Sequence, residues 1–267
     1  MRRAFKSAAK KVLSSRLLIS KKARVVFLFH DVSDPGAEGH SAHYSTPPAA
    51  FREQIEFLHH AFDLVPLPDL HKARGNGKPL AGISFDDGFL SVLERAHPLL
   101  RSLRIPYTVF LNRAAAQDNR LHYSDRYPGL NRAWRGKVYL DEEDVRQMSR
   151  EGVAFGSHTL SHPTLSEIGD AEARHEIAGN KAWLDHLLRQ KTSAFAVPYG
   201  KTNHFLPRDV KLCREAGHTH IYTTIPGFFL PGEVKPAQHL IPRIPVVAER
   251  PESIIFSLNV AHIRRIL

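Results

Sequence analysis

The 267-residue sequence contains a single cysteine, Cys213, so no disulfide bond can form within the chain. This suits a reducing compartment, although it does not exclude the periplasm. No apolar run approaches the roughly 20 residues that a membrane-spanning helix needs, and the stretch Leu17–Ser20 is too short for a secretory leader. Internal repeats, low-complexity tracts and interior linkers are also missing, which indicates one α/β domain with a large core.

Acidic residues are absent from residues 1–24, which hold nine of the chain's 37 lysines and arginines. The other 28 are balanced by 27 acidic residues, so nearly all of the net charge of +10 lies in this segment. Its apolar residues recur at helical spacing, at Met1, Phe5, Ala8, Ala9, Val12, Leu13 and Leu17. A basic amphipathic helix of this kind is typical of segments that lie on a membrane surface.

We therefore expect residues 1–24 to be an extension in peripheral contact with a membrane, and residues 25–267 to be the folded domain. This expectation places the protein in the cytoplasm or at the inner membrane face. A solvated, flexible extension is the alternative. Nucleic acid is not an expected partner, because no nucleic-acid-binding module accompanies the basic residues.

Short apolar stretches typical of buried strands alternate with longer stretches typical of amphipathic helices. The predicted strands are Val25–Phe29, Leu80–Phe85, Ile105–Leu111, Val153–Gly156, Ala194–Val197, His220–Thr224 and Leu240–Val246. The predicted helices are Pro48–Ala61, Phe89–Leu103, Asp141–Glu151, Ala171–Arg189, Arg208–Ala216 and Arg250–Leu267. This alternation predicts parallel βα units and hence an α/β fold.

Two adjacent carboxylates, Asp86 and Asp87, follow the predicted strand Leu80–Phe85 and precede Gly88, which permits a tight turn. Polar side chains at the carboxyl ends of strands in α/β folds lie where active sites are usually built. Because adjacent residues that leave a strand point in different directions, one carboxylate can bind a metal ion while the other takes a proton from water. The alternative is that one of them caps the following helix.

Two imidazoles four residues apart, His158 and His162, follow the predicted strand Val153–Gly156. In a helical turn this spacing would place both side chains on one face. Imidazole nitrogens suit Zn²⁺, Co²⁺ or Ni²⁺, and one carboxylate would complete a three-ligand site that leaves a position open for water. The sequence has 17 histidines, so the spacing alone is weak evidence, and its position at a strand end strengthens it.

The segments Ser84–Gly88 and Ser157–Pro163 resemble the first two motifs of the polysaccharide deacetylases of carbohydrate esterase family 4, which share the NodB-homology domain. The resemblance extends from about Val25 to about Val247. It implies a distorted (β/α)7-type barrel in a single domain, and an N-acetylated glycan as the substrate.

The same resemblance implies a role for each residue of the two motifs. Asp86 would be the catalytic base, and Asp87, His158 and His162 would bind a divalent metal ion. Zn²⁺ is the first expectation for this ion, with Co²⁺ or Ni²⁺ as alternatives.

The third motif of the family is only partly present. Ala196 stands where the family commonly has an arginine, three residues before the tyrosine of Pro-Tyr-Gly, here Tyr199. The resemblance assigns an oxyanion contact to the backbone N–H of Tyr199. Arg243 is a candidate substitute for the missing arginine, which would orient the base, and a surface or interstrand arginine is the alternative.

The family's last motif, a Leu-x-His that supplies a general acid, has no clear match in the sequence. His30, in the segment Phe27–Asp31, resembles a histidine that ends the first strand in related deacetylases. It could act as the acid or contact the substrate, and a histidine that is simply satisfied near a strand end is the alternative. The sequence therefore leaves the general acid unassigned.

Two polar stretches, Glu38–Pro48 and Gln117–Val138, interrupt the alternation of strands and helices. Long loops of this kind in a compact domain are often functional or disordered. The aromatic and basic side chains of the second stretch suit stacking on sugars or pairing with phosphate. A solvated surface insertion is the alternative.

Together these features predict a metal-dependent hydrolase that removes an N-acetyl or N-formyl group from an amino sugar, in a polysaccharide or a lipid-linked glycan. The alternative is a catalytically weak glycan-binding protein on the same fold, because the family's arginine and acid histidine are both absent from their usual motifs.

Overall fold

The structure is a computed structural model that describes residues 18–34, 44–118, 136–234, 240–246 and 251–266. Most of the predicted amphipathic extension, residues 1–17, lies outside this range. Much of the two predicted polar loops also lies outside it, at residues 38–43 and 119–135. The roles proposed for these segments therefore stay predictions.

Within the described residues, one parallel sheet of nine strands forms the centre of the molecule. The strands are β1 (Arg24–Phe29), β2 (Asp63–Leu64), β3 (Leu80–Phe85), β4 (Tyr107–Leu111), β5 (Ala154–Ser157), β6 (Ala194–Ala196), β7 (His220–Tyr222), β8 (Leu240–Ile241) and β9 (Ile244–Pro245). Their order is β8-β7-β6-β5-β4-β3-β1-β9, and β2 pairs with the start of β3. Every predicted strand is present, and β1 begins one residue earlier than expected, at Arg24.

The two ends of this sheet meet in one short stretch of chain. β8 pairs with β7, β9 pairs with β1, and only Pro242 and Arg243 separate β8 from β9. A proline has no N–H to donate to a strand ladder, which accounts for the break between the two short strands. Because this stretch occupies one strand position, the sheet has seven positions around the ring, and the predicted distorted (β/α)7-type barrel is confirmed.

Seven α-helices of the described residues follow the strands. They are α1 (Pro48–Ala61), α2 (His97–Ser102), α3 (Arg113–Asp118), α4 (Glu142–Arg150), α5 (Asp170–Leu188), α6 (Pro207–Glu215) and α7 (Pro251–Ile266). The predicted helix over Phe89–Leu103 is instead a π-helical turn at Val92–Ala96 followed by α2. Pro98 explains the difference, because it lacks the N–H that an α-helix would donate to Glu94.

The core of the barrel holds the carboxyl ends of β1 and β3 side by side. All six residues of each strand are buried, as expected for a parallel sheet covered on both faces. Phe29 and Phe85 are register partners at the ends of these strands, and their rings stack with centroids 5.5 Å apart. This packing fixes the point at which the chain leaves each strand, and polar residues follow both.

No helix in the described ranges is both long and apolar enough to cross a membrane.

Candidate metal and catalytic site

All seven predicted site residues lie at the carboxyl end of the barrel. They follow different strands: His30 follows β1, Asp86 and Asp87 follow β3, His158 and His162 follow β5, Tyr199 follows β6, and Arg243 lies between β8 and β9. Because all the strands are parallel, their carboxyl ends share one rim, where α/β barrels carry their active sites.

Asp87, His158 and His162 form a buried cluster whose potential ligand atoms all lie within 4.8 Å of one another. Oδ1 of Asp87 is 3.4 Å from Nε2 of His158 and 3.6 Å from Nε2 of His162. Ligand atoms bound tetrahedrally at about 2.0–2.1 Å from Zn²⁺ lie roughly 3.3–3.4 Å apart. The donor set and its spacing therefore fit a divalent cation that prefers nitrogen and oxygen ligands.

The chain between the two histidines is a loop and not the helical turn that their spacing suggested. Thr159 and His162 adopt left-handed backbone conformations, with φ of 68° and 63°. These conformations turn the chain back on itself, so that the two imidazole centroids are 4.7 Å apart. Asp87 also has a positive φ of 73°, and strained backbone of this kind is concentrated at functional sites.

The loop from His158 to His162 is held in place by hydrogen bonds with three residues outside it. Nδ1 of His158 lies 2.8 Å from the carbonyl oxygen of Ala196 and donates to it, which leaves Nε2 directed at Asp87. The carboxylate of Glu176 accepts hydrogen bonds from the backbone N–H and the hydroxyl of Ser161, at 2.9 and 2.7 Å. The amide of Asn112 donates to the carbonyl oxygen of His158. These contacts orient the histidines before any cation binds.

Arg243 forms a two-pronged ion pair with Asp86. Nη1 and Nη2 each donate to one carboxylate oxygen at 2.7 Å, and both side chains are at most 2% exposed. Nε of Arg243 donates to the carbonyl oxygen of Thr223 at 2.9 Å, and the guanidinium lies 5.4 Å from the ring centroid of Phe110. Arg243 is therefore a buried partner of Asp86, in the place expected for a substitute of the missing arginine, and not a surface residue.

Neither aspartate is the N-cap residue of the turn that follows, because that residue is Ser91. The carboxylates are instead only 2% and 3% exposed and face the arginine and the histidines.

The charges of this site are balanced internally. Burial raises the pKa of the Asp86 carboxyl, but the charges of Arg243 and His158 outweigh it and hold that pKa below its usual range. Burial likewise raises the pKa of Asp87, and its hydrogen bond with His158 and the charge of His162 lower it by more. Both carboxylates are therefore ionised at neutral pH, as a base and a metal ligand require.

The two histidines differ in their preferred protonation state. Burial lowers the pKa of His158, but the neighbouring carboxylates raise it above its usual value. Burial and the charge of His158 lower the pKa of His162 to about 3, so its ring stays neutral. The carboxylates therefore favour a second proton on His158. A cation at this site would displace that proton, because an imidazole binds a metal ion in its neutral form.

Tyr199 lies beside the metal cluster in a left-handed conformation, with φ of 58°. Its ring is T-shaped to His162 with centroids 4.6 Å apart, and the hydroxyl of Thr224 donates to its carbonyl oxygen at 2.5 Å. Gly200 follows with φ of 62°, and a Cβ there would lie 2.5 Å from the backbone nitrogen of Thr224. The turn thus requires glycine at this position.

His30 is half-buried at the rim, directly after β1. Its ring lies 5.5 Å from the ring of Tyr44, and it contributes to the electrostatic environment of both Asp86 and Asp87. This position is compatible with the predicted contact to substrate or leaving group, and its role as an acid stays a prediction.

Sequence reasoning missed several residues that support the site. Asp31 is fully buried and accepts hydrogen bonds from the hydroxyls of Ser33, Ser45 and Ser91, which tie the exit of β1 to the turn after Asp87. Its position next to His30 was the available signal. Glu176 and Asn180 gave none, because their helical pattern does not reveal which face meets the loop.

Comparisons with known proteins agree with this geometry. The profile of the polysaccharide deacetylase family matches residues 73–220, which is more than half of the chain and includes Asp86, Asp87, His158 and His162. YxkH of Bacillus subtilis (strain 168), whose name also refers to polysaccharide deacetylases, is 25% identical over 145 residues. The match covers 54% of this chain and 44% of that relative's length.

Solved structures share the fold over nearly the whole chain. The Streptococcus pyogenes deacetylase PplD, solved in complex with acetate, is 17% identical with a TM-score of 0.70, covering 90% of this chain and 99% of that one. IcaB from Ammonifex degensii is 22% identical with a TM-score of 0.71, covering 89% and 97%. The family profile, the shared barrel and the two motifs at its rim together place this chain in the polysaccharide deacetylase family.

Proposed function

We propose that this protein is a metal-dependent hydrolase that removes an N-acetyl or N-formyl group from an amino sugar in a polysaccharide or a lipid-linked glycan. The observation that carries this proposal is a buried carboxylate, Asp86, held ionised by Arg243 beside a three-ligand cation site. A base next to a cation that keeps open positions is the arrangement that hydrolysis of an amide requires.

Asp87, His158 and His162 would hold the divalent cation, most simply Zn²⁺, with Co²⁺ or Ni²⁺ as alternatives. When bound, such a cation supplies Lewis acidity that lowers the pKa of water and stabilises negative charge on oxygen. The residues of the chain provide the remaining chemistry, which consists of proton transfer, orientation and anion stabilisation.

Asp86 takes the proton of the attacking water at a carboxylate oxygen, since its low pKa keeps it ionised and ready to accept. Arg243 fixes the plane of that carboxylate through two hydrogen bonds, which replaces the arginine that the family has in its third motif. The backbone N–H of Tyr199 is the proposed donor to the oxyanion that forms at the former carbonyl oxygen. The amide C–N bond then breaks, and His30 is the candidate that gives the amine its proton.

Two further parts of the proposal concern location. The nine basic residues of the first 24 support peripheral contact with an anionic membrane, with the protein in the cytoplasm or at the inner membrane face. A lipid-linked glycan would then be reached more easily than a free polymer. No nucleic acid is expected as a partner.

Acetate release from an N-acetylglucosamine oligomer tests the proposed reaction, with formate release from an N-formyl analogue as a parallel assay. Asp86→Asn keeps the shape of the base but cannot accept the proton, so we expect bound metal and a loss of most turnover. Asp209→Asn is the matched control, because Asp209 is another buried aspartate beside an arginine, Arg208, outside the site. Normal acetate release by Asp86→Asn would refute the assigned role.

The same assay separates the enzyme from the alternative, a catalytically weak glycan-binding protein. Binding of the oligomer without acetate release by the metal-loaded wild type would favour the binding protein. The buried ion pair between Asp86 and Arg243 argues for the enzyme, because a binding surface needs no buried ionised base.

A further inference from the structure

A second feature of the barrel lies at its amino end, opposite the proposed catalytic site. A cavity of about 620 Å³ opens where β1 and β3 begin, next to the loop that precedes β3. Arg24 and Leu80, which pair in register as the first residues of these strands, both line it. At about 3.3 Å per residue, the six residue steps from Leu80 to Asp86 place this cavity roughly 20 Å from Asp86.

The lining of this cavity carries positive charge, and one acid, Asp63, lies beside it in a neighbouring pocket that Arg74 and Lys78 also line. Lys21, Lys22, Arg74 and Lys78 are exposed and line it, and no aspartate or glutamate does so among the described residues. None of these four side chains forms an ion pair with another residue that the structure describes. This differs from the acid-rich surface of α4, where Arg146 and Arg150 are paired with glutamates.

Arg24 adds a buried guanidinium to the wall of the cavity. It is 7% exposed, and its nitrogens donate to the carbonyl oxygens of Lys22, Leu70 and Ala73 at 2.7–3.0 Å. These acceptors satisfy hydrogen bonds but leave the positive charge without an anion, and burial lowers the pKa of the group. A guanidinium has five N–H donors, and three of those of Arg24 are used in these bonds.

The loop of residues 74–78, on one side of the cavity, combines two glycines with an arginine and a lysine. It reads Arg74-Gly75-Asn76-Gly77-Lys78, and Gly77 has φ of 103°, with no heavy atom within 4 Å of the position that a Cβ would occupy. The N–H of Asn76 donates to the carboxylate of Asp63 at 2.8 Å, which anchors the loop outside the cavity. Glycines beside arginine and lysine expose the backbone as well as the charges to an anion.

We propose that this cavity binds the phosphate group of an anionic ligand. Arginine and lysine side chains that line one cavity together are the usual partners of phosphate, which accepts charge-assisted hydrogen bonds on several oxygens. The ligand is either the headgroup of an anionic phospholipid or a soluble phosphate-bearing molecule. In the first case, the six further basic residues of segment 1–17 would reinforce binding.

Binding to two probes tests this proposal on the full-length chain. Inorganic pyrophosphate is titrated by calorimetry, and vesicles of phosphatidylglycerol and phosphatidylcholine are tested by co-sedimentation, with phosphatidylcholine alone as the blank. The variant Arg74→Ala with Lys78→Ala removes two charges of the cavity and leaves all basic residues of segment 1–17 in place. We expect it to weaken binding by about tenfold or more, since the phosphate would lose two charge-assisted contacts.

The matched control is Arg52→Ala with Lys191→Ala, which removes two exposed charges that do not line the cavity. It should bind both probes within about twofold of the wild type, because exposed charges outside the cavity are screened by salt. Loss of vesicle binding alone in the cavity variant supports the phospholipid source, and loss of pyrophosphate binding alone supports the soluble source. Equal loss in both variants, or no binding of either probe by the wild type, overturns the proposal.

Acetate release is measured on the same samples, together with the thermal unfolding midpoint. The cavity variant should keep both, because its changed side chains are exposed and lie at the other end of the barrel. A wild type that releases no acetate but binds the probes would contradict the proposed enzyme and leave the phosphate site standing.

Discussion

The ion pair between Arg243 and Asp86 gives the most demanding prediction of the account. Arg243→Met removes the guanidinium but keeps an unbranched side chain in the same space, so the main effect is electrostatic. Asp86 would be left buried without its partner, and the carbonyl oxygen of Thr223 would lose the donor Nε of Arg243. Breaking a fully buried pair in this way destabilises a protein by about 3–5 kcal/mol.

The predicted loss depends on pH in a direction that can be worked out. In the wild type the pKa of Asp86 is lowered on folding, so its contribution to stability is present above the unfolded pKa of about 3.9 and is lost as pH falls through the folded value. In the variant, burial without Arg243 raises that pKa above the unfolded value. The deficit of the variant should therefore be largest near neutral pH and shrink as the pH is lowered towards 4.

Urea unfolding followed by circular dichroism measures this loss at pH 7 and pH 5. The double variant Arg243→Met with Asp86→Asn should recover about 1–3 kcal/mol relative to the single variant, because no charge is then left unpaired. Arg146→Met is the matched control, and its half-exposed ion pairs with Glu142 and Glu143 should contribute no more than about 1 kcal/mol. A single variant as stable as this control, or a double variant no better than the single one, would refute the electrostatic argument.

Three further changes test the support of the site. Gly200→Ala should destabilise the fold by about 2–4 kcal/mol, because it adds a clash with Thr224 to the cost of a left-handed alanine. The control Gly152→Ala also places alanine at a positive φ, but in open space, and should cost about 1 kcal/mol. Equal losses of stability in the two variants on thermal unfolding would contradict the clash. The side-chain amide of Asn180 accepts from the N–H of Arg113 and donates to the carbonyl oxygen of Leu111 and the hydroxyl of Ser157. Asn180→Ala should therefore lower the free energy of unfolding in urea by about 1–3 kcal/mol, and an unchanged value would count against these three bonds. Glu176→Ala should weaken metal binding about tenfold or more in a chelator competition, and unchanged affinity would show that the loop needs no such support.

The sequence carried enough information to predict the strands, the parallel order of βα units and the residues at the strand ends. The reason is that β1 and β3 are buried on both faces, and such strands read as continuous apolar runs. Asp86 follows such a run directly and Asp87 comes next, while His158 follows Ser157, the last residue of β5. Their convergence follows from the parallel sheet, in which every carboxyl end lies on the same rim.

Features that depend on contacts between distant parts of the chain could not be predicted in the same way. The pairing of Arg243 with Asp86 spans 157 residues, and from the sequence alone a surface or interstrand arginine was equally plausible. β2 has two residues and α3 six, too few for a periodic pattern. The loop of His158 and His162 relies on left-handed residues that are not glycine, whereas the spacing suggested a helical turn.

Metal content and acetate release, measured on the same purified samples, test whether Asp87, His158 and His162 form a metal site that supports hydrolysis. The account predicts about one divalent metal ion per chain in the wild type, and loss of both metal and acetate release in His158→Ala. The control His218→Ala removes another buried histidine, one outside the metal cluster, and should keep the metal. A wild type that binds no metal after reconstitution, or a His158→Ala variant that keeps metal and activity, would contradict the account.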